Sequence, residues 1–111
     1  MCSIAGITFG SSKEVQQMLN SMRHRAPDDT GVISDKYIAL GMGRLSIIDL
    51  KSKNLCPYEN KDIILSFNGE IYNYKSLKIE LEKFGYIFHT TSDTEVLALA
   101  WDKWKLNIFN K

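Results

Sequence analysis

The sequence has little of several features that would assign it to a specialised class of protein. Of its 111 residues only two are cysteine and two are proline, which excludes a disulfide framework and a proline-rich extended chain. The 14 Lys and Arg residues nearly balance the 13 Asp and Glu residues, so a basic nucleic-acid-binding surface is not predicted. No apolar run approaches the roughly 20 residues that would span a bilayer. We therefore expect one small, reduced, cytoplasmic domain with neither nucleic acid nor a membrane as a partner.

Apolar periodicity predicts interleaved strands and helices, which is typical of an α+β fold. Strands are expected at residues 3–9, 32–33, 37–40, 63–67 and 86–89, with a further apolar run at 46–50. Two helices should begin at capping boxes, one formed by Ser11 with Glu14 and the other by Ser92 with Glu95. A third helix should carry Leu77, Leu81 and Phe84 on one face, and Gly85 should end it.

Cys2 is the most unusual placement in the chain. If Met1 is removed, one residue carries both a thiol and a free α-amine, whose ordinary pKa of about 7.7–8.0 allows it to accept the thiol proton near neutral pH. The simpler interpretation is an incidental cysteine at position 2. The placement therefore predicts a nucleophile that carries its own base only if other parts of an acyl-transfer site are present.

Two further features could complete such a site. Asn68 and Gly69 follow a predicted strand and could aim a side-chain amide and a backbone N–H at one oxyanion, although Asn-Gly is also a common hairpin turn. Arg44 could pair its guanidinium with a carboxylate, or it could be an ordinary surface arginine.

The other polar candidates have simpler interpretations from the sequence alone. Asp93 would be a helix cap, Glu70 a solvated turn carboxylate and Cys56 an incidental loop thiol. His24 and His89 lack the spacing of zinc ligands, so no metal site is predicted. No glycine-rich phosphate loop occurs, so nucleotide binding is not predicted either.

Five sequence blocks nevertheless occur together in an order that resembles the N-terminal glutaminase domain of asparagine synthetase, a class II glutamine amidotransferase of the N-terminal nucleophile hydrolase superfamily. The blocks are MCSIAGI at 1–7, MRHRAPDD at 22–29, RLSIIDL at 44–50, FNGEIYNY at 67–74 and TSDTEVL at 91–97.

The resemblance implies a role for each matching position. Cys2 would attack the side-chain amide of glutamine to form a γ-glutamyl thioester, with Asn68 and Gly69 holding the oxyanion. Arg44 would bind the α-carboxylate of L-glutamine, and Glu70 and Asp93 its α-ammonium group. The backbone of a strand would line the pocket through Leu45, Ser46, Ile47 and Ile48. Water would then release glutamate, and the ammonia would supply asparagine synthesis.

The resemblance also implies an αββα sandwich that is incomplete at its C-terminus, since the family continues beyond the helix of Trp101 and Trp104 with further strands. Residues 1–111 would be a partial amidotransferase domain, and the ATP- and magnesium-using synthetase domain would be absent from this chain and present at most on another chain. No cofactor is expected here. Exposed strand edges would favour self-association. The alternative function is an inactive remnant or an interaction subunit.

The sequence departs from the family pattern at several positions. Ser3 and Ala26 occupy positions where glycine is usual, and they would be strained if the backbone there had φ > 0. Met42 and Gly43 replace a commonly more polar or basic pair, and Cys56 stands where glutamine is frequent.

Overall fold

A computed structural model of the chain describes residues 2–45 and 56–111, and it has the predicted α+β character. The first described part holds three strands and one helix. In chain order these are β1 (Ser3–Thr8), α1 (Ser12–Ser21), β2 (Asp29–Ser34) and β3 (Ile38–Arg44). A 3₁₀ helix, Arg23–Arg25, connects α1 with the segment before β2.

The three strands form an antiparallel sheet in the order β1-β3-β2. Ser3 pairs with Gly43, and Asp29 pairs with Arg44, so the start of β1, the start of β2 and the end of β3 lie at one end of the sheet. This register places Cys2, which directly precedes β1, beside the end of β3.

Helix α1 begins at the predicted capping box and covers one face of this sheet. The Ser11 hydroxyl accepts the Glu14 N–H at 3.4 Å, and the Glu14 carboxylate accepts the Ser11 N–H at 2.8 Å. Val15 and Leu19 are buried against Ala39, which forms the first apolar cluster of the fold. This packing is possible because Gly41 has no side chain, since a Cβ there would lie 2.5 Å from a Val15 methyl group.

The second described part is mostly helical. It contains two short paired strands, β4 (Tyr58–Glu59) and β5 (Ile64–Leu65), and two helices, α2 (Tyr74–Lys83) and α3 (Asp93–Trp104). A 3₁₀ helix, Lys105–Asn110, follows α3. The second apolar cluster joins α2 to α3 through Leu77, Leu81, Val96 and Ala100.

The β4–β5 pair lies between the first sheet and α3. Tyr58 packs against Ala98 of α3, while Ile64 and Leu65 face Ile4 and Leu40 across a cavity of about 370 Å³. The face of the first sheet that α1 does not cover therefore faces the β4–β5 pair.

Helix α2 ends at Gly85 as predicted. Gly85 has φ +88°, its N–H donates to the Glu82 carbonyl at 3.0 Å, and the Tyr86 N–H donates to the Leu81 carbonyl at 3.2 Å. These two bonds form a Schellman motif. Of the three residues predicted to share one helical face, Leu77 and Leu81 are buried and Phe84 is 54% exposed.

Two local predictions after Gly85 are wrong. Residues 86–89 form no strand, because the backbone first closes the Schellman motif and the His89 N–H then donates to the Glu95 carboxylate at 3.0 Å. The second capping box is only half formed. Ser92 does cap the Thr94 N–H at 3.2 Å, but Glu95 bonds to His89 and Thr90 instead of to the Ser92 N–H.

Ser3 and Ala26 are not strained by a left-handed backbone. Within the described ranges positive φ occurs only at Phe9, Gly85 and Lys105, and Ala26 has φ −143°. The apolar run predicted at 46–50 lies outside the described residues, as do residues 51–55.

No helix in the described part of the chain has the length and apolar character needed to cross a membrane.

Candidate functional site

A cavity of about 80 Å³ lies where the end of the first sheet meets the start of α3. Six of the residues predicted for the site line it: Cys2, Arg44, Leu45, Gly69, Glu70 and Asp93. These positions come from four separate parts of the chain, so the fold brings together what the sequence shows only as distant motifs.

The sheet register positions the first group. Cys2 is half-buried, and its thiol donates a weak hydrogen bond to the Leu45 carbonyl at 3.8 Å. Arg44 is buried at the end of β3, and its carbonyl accepts the Asp28 N–H at 3.2 Å. Cys2 and Arg44 therefore both line the cavity at this end of the sheet.

The start of α3 forms the opposite wall. Ser92 caps the helix, and Asp93, in the first turn, is buried and accepts the Ile71 N–H through Oδ2 at 3.0 Å. This bond connects α3 to the segment that contains Gly69 and Glu70, so the two predicted carboxylates lie on adjoining parts of the cavity.

The Asn68-Gly69 pair is not a type I′ hairpin turn, because that turn requires positive φ at both central residues and neither has it. Gly69 lines the cavity and lies close to the ring of Phe67, to which a Cβ at position 69 would approach within 2.8 Å. Asn68 is exposed and does not line the cavity. Of the proposed oxyanion donors, the structure thus brings Gly69 but not the Asn68 side chain to the site.

Ser46, Ile47 and Ile48, predicted to line the pocket, lie outside the described residues.

Sequence reasoning missed four lining residues, namely Met42, Phe67, Ser92 and Thr94. Phe67 had a signal in the strand alternation, which pointed its side chain inward with those of Ile63 and Leu65. Ser92 and Thr94 flank Asp93, and their place follows from the position of the helix start. Met42 could not be assigned to the cavity without the strand register.

Cys56 differs from Cys2 in its surroundings. Its thiol donates to the Met42 carbonyl at 2.8 Å, and burial, together with the charge of Asp29, raises its pKa to about 12. A thiol with so high a pKa is a poor nucleophile near neutral pH. Its carbonyl oxygen also lies where a side chain at Gly31 would be, 1.9 Å from an ideal Cβ.

Within residues 2–45 and 56–111, no group of three or more His, Cys, Asp or Glu side chains is arranged to hold a metal ion. Among the described residues, the charged ones that line the cavity are Arg44, Glu70 and Asp93. One cation and two carboxylates around a small cavity are complementary to an amino acid, whose α-carboxylate and α-ammonium groups carry opposite charges.

Comparison with known proteins gives the same family as the motifs. The sequence profile of the glutamine amidotransferase domain matches residues 1–111. Asparagine synthetase [glutamine-hydrolyzing] 1 of Bacillus subtilis is 39% identical over 114 residues, covering 95% of this chain and 18% of that protein. Asparagine synthetase B of Escherichia coli is 37% identical over 113 residues, covering 93% and 20%. A putative asparagine synthetase of Methanocaldococcus jannaschii is 36% identical over 127 residues, covering 93% and 24%.

The chain spans about a fifth of the length of the curated relatives it matches. The profile, in contrast, covers the whole of this sequence. The chain therefore belongs to the glutamine amidotransferase domain family.

Proposed function

We propose that this chain hydrolyses the side-chain amide of L-glutamine to glutamate and ammonia. The observation that carries the proposal is the cavity that Cys2 lines together with Arg44, Glu70 and Asp93. A zwitterionic amino acid matches this charge pattern, and a thiol at the same cavity suits attack on an amide carbon.

In the proposed reaction Arg44 binds the α-carboxylate of glutamine, and Asp93 and Glu70 bind its α-ammonium group. Arg44 and Asp93 are both more than nine-tenths buried, so their interactions with a charged ligand are weakly screened by solvent. The ligand would be held at its α-carbon end, leaving the amide end free to approach Cys2.

The chemical step would begin with the Cys2 α-amine, exposed by removal of Met1, accepting the thiol proton. The thiolate would add to the amide carbon, and the oxyanion would be held by the Gly69 N–H and the Asn68 side chain. The protonated amine would give its proton to the departing nitrogen, which releases ammonia and leaves a γ-glutamyl thioester. Water would add to the thioester, regenerate the thiol and release glutamate.

Asn68 is exposed and would have to turn its amide toward Cys2 when glutamine binds. In this proposal Ser46, Ile47 and Ile48, which lie outside the described residues, line the glutamine pocket. The two-sheet arrangement supports an αββα sandwich of the N-terminal nucleophile hydrolase type, with α1 and α3 as its outer layers.

The names of the relatives indicate which reaction would use the ammonia. Those proteins are called glutamine-hydrolysing asparagine synthetases, and we propose that this domain supplies ammonia for asparagine synthesis by a synthetase domain.

The test compares Cys2→Ala with Cys56→Ala in assays of glutamate and ammonia release. Cys2→Ala is expected to lose turnover, whereas Cys56→Ala is expected to retain it, since Cys56 is outside the cavity. Intact mass must first show that Met1 is absent, and hydroxylamine should capture the thioester as γ-glutamyl hydroxamate.

Turnover that survives Cys2→Ala would exclude the proposed nucleophile. A folded wild-type chain that lacks Met1 and has no turnover would instead favour the interaction-subunit alternative.

A further inference from the structure

Glu95 is a buried carboxylate that does not line the cavity. Its side chain is 1% exposed and lies on the first turn of α3, two residues after Asp93. In the described part of the chain no cation forms an ion pair with it. A charged group in such a place needs several hydrogen bonds to offset its loss of hydration.

Within residues 2–45 and 56–111, the hydrogen bonds to Glu95 come from His89 and Thr90. Oε1 accepts the His89 N–H at 3.0 Å, while Oε2 accepts the Thr90 N–H at 2.7 Å and the Thr90 hydroxyl at 2.7 Å. Oε2 also lies 3.2 Å from the His89 nitrogen. Glu95 therefore holds the backbone before α3 instead of capping the helix.

The contacts continue from Thr90 toward the cavity. The Thr90 hydroxyl oxygen accepts the Ser92 N–H at 3.2 Å while its proton is donated to Glu95. Ser92 then caps Thr94, and both residues line the cavity together with Asp93. Asp93 in turn accepts the Ile71 N–H at 3.0 Å, which connects this wall to the segment of Gly69 and Glu70.

We propose that Glu95 and Thr90 are positioning residues for glutamine binding, a role that rests on the proposed function. Glu95 fixes Thr90, Thr90 fixes Ser92, and the resulting start of α3 holds Asp93 where it faces the α-ammonium group of glutamine. Neither Glu95 nor Thr90 touches the substrate in this arrangement.

The substitution Glu95→Gln tests this inference with almost no change of volume. The glutamine amide keeps one acceptor oxygen but places an NH₂ group against backbone N–H donors. The side chain at position 95 therefore loses part of its hydrogen bonds to His89 and Thr90. We expect KM for glutamine to rise about tenfold, the effect of losing one charge-assisted hydrogen bond. We expect kcat to change less than about threefold, because Cys2 is positioned by the β1–β3 pairing and not by α3.

The matched control is Glu82→Gln, which removes the same charge from an exposed position on α2. A second pair of variants tests the connection that the Thr90 hydroxyl group makes between Glu95 and Ser92. Thr90→Val, which keeps the branched shape without the hydroxyl, should raise KM, and Thr90→Ser, which keeps the hydroxyl, should restore it. Thermal unfolding checks that each variant is folded.

Amide hydrogen exchange gives a readout that does not need turnover. In Glu95→Gln, exchange should be faster at Thr90 and Ser92, and also at Ile71, whereas Glu82→Gln should leave these amides unchanged. If the wild-type chain has no glutaminase activity, the proposed function is refuted. The exchange result would still decide whether Glu95 holds the backbone at the start of α3. The inference is overturned if Ile71 exchange is unchanged in Glu95→Gln, if kcat falls while KM stays constant, or if Thr90→Val and Thr90→Ser behave alike.

Discussion

Gly43 on β3 lies directly opposite Ser3 on β1, and a Cβ at position 43 would be 2.5 Å from the Ser3 hydroxyl oxygen. The same Cβ would be 2.8 Å from the Ala26 Cβ. Ser3 and Ala26 are the two positions at which the resemblance leads one to expect glycine. The space that their side chains require is therefore left by the missing side chain of Gly43.

This relationship predicts a specific non-additive effect on stability. Gly43→Ala alone should lower the free energy of unfolding by about 1–3 kcal/mol, because the site is overpacked. In a Ser3→Gly/Ala26→Gly background the same substitution should cost less than about 1 kcal/mol, as both obstructing groups are gone. Urea unfolding of the four proteins of the cycle measures the difference. Equal costs in the two backgrounds would show that the three residues are energetically independent.

Asp93 has two separable contributions, a hydrogen bond to Ile71 and a negative charge at the cavity. Asp93→Asn retains an acceptor for the Ile71 N–H but loses the charge, so we expect weaker glutamine binding by about tenfold with little loss of stability. Asp93→Ala loses both and should also lower the free energy of unfolding by about 1–3 kcal/mol, since the buried N–H loses its partner. Glutamine titration and thermal unfolding of the two variants separate these effects. If Asp93→Asn binds glutamine as tightly as the wild type, the charge has no part in recognition.

Asn68 tests the oxyanion assignment. Loss of one oxyanion donor typically lowers kcat by about 10²–10³-fold, and Asn68→Ala should do so while KM for glutamine changes little. The stability of the fold should be unaffected, because the side chain is exposed. Steady-state kinetics measures both parameters. A kcat close to that of the wild type would place the second donor elsewhere.

The two thiols should differ in reactivity. Cys56 is shielded by its bond to the Met42 carbonyl and has a raised pKa, whereas Cys2 lines an accessible cavity. Iodoacetamide near pH 8 should add one carbamidomethyl group to the native chain, at Cys2, and two to the chain unfolded in urea. Peptide mass analysis identifies the modified residue. Faster labelling of Cys56 in the native protein would contradict the described environment.

The raised pKa of Cys56 also predicts how stability depends on pH. Burial raises the pKa of the thiol from its ordinary 9.0 to about 12 in the folded chain, so the folded state holds its proton more tightly. The resulting stabilisation is complete below about pH 9 and is lost as the pH rises toward 12. The difference in unfolding free energy between wild type and Cys56→Ala should therefore be constant from about pH 7 to 8.5 and shift against the wild type by about pH 10.5. A difference that stays constant throughout would indicate an ordinary thiol pKa.

Gly85 offers a test of backbone conformation without any change in packing. It has φ +88°, and an alanine Cβ at this position would have no neighbouring atom within 4 Å, so Gly85→Ala introduces only backbone strain. We expect the free energy of unfolding to fall by about 1–2 kcal/mol. Gly85→Asn should cost less, because asparagine tolerates the left-handed region better. Equal effects of alanine and asparagine would contradict this explanation.

Local signals in the sequence predicted the elements whose determinants are also local. The Ser11 capping box and the end of α2 at Gly85 follow from side-chain type and spacing, and the structure has both of them. The strand expected at residues 86–89 failed because Glu95, six residues beyond His89, bonds to its backbone N–H.

The site residues also divide into those that local motifs identify and those that depend on the fold. Motifs identified Cys2, Arg44 and Asp93, and the structure brings all three to one cavity. Met42 and the supporting role of Glu95 were not predictable, because they depend on strand register and on side-chain direction. A Glu three residues after a Ser at a helix start ordinarily indicates a capping box, and only the fold shows that this one bonds elsewhere.

The cavity lies at a seam between two apolar clusters that have no buried residue in common. Cys2 and Arg44 are anchored to the sheet that α1 covers, whereas Gly69 and Asp93 belong to the part of the chain stabilised by α2 and α3. A bound amino acid that contacts both walls would act as a non-covalent cross-link between the two halves. Separation of the halves would abolish the cavity even while each cluster stayed folded, so local opening, and not only global unfolding, determines how much of the chain is competent to bind.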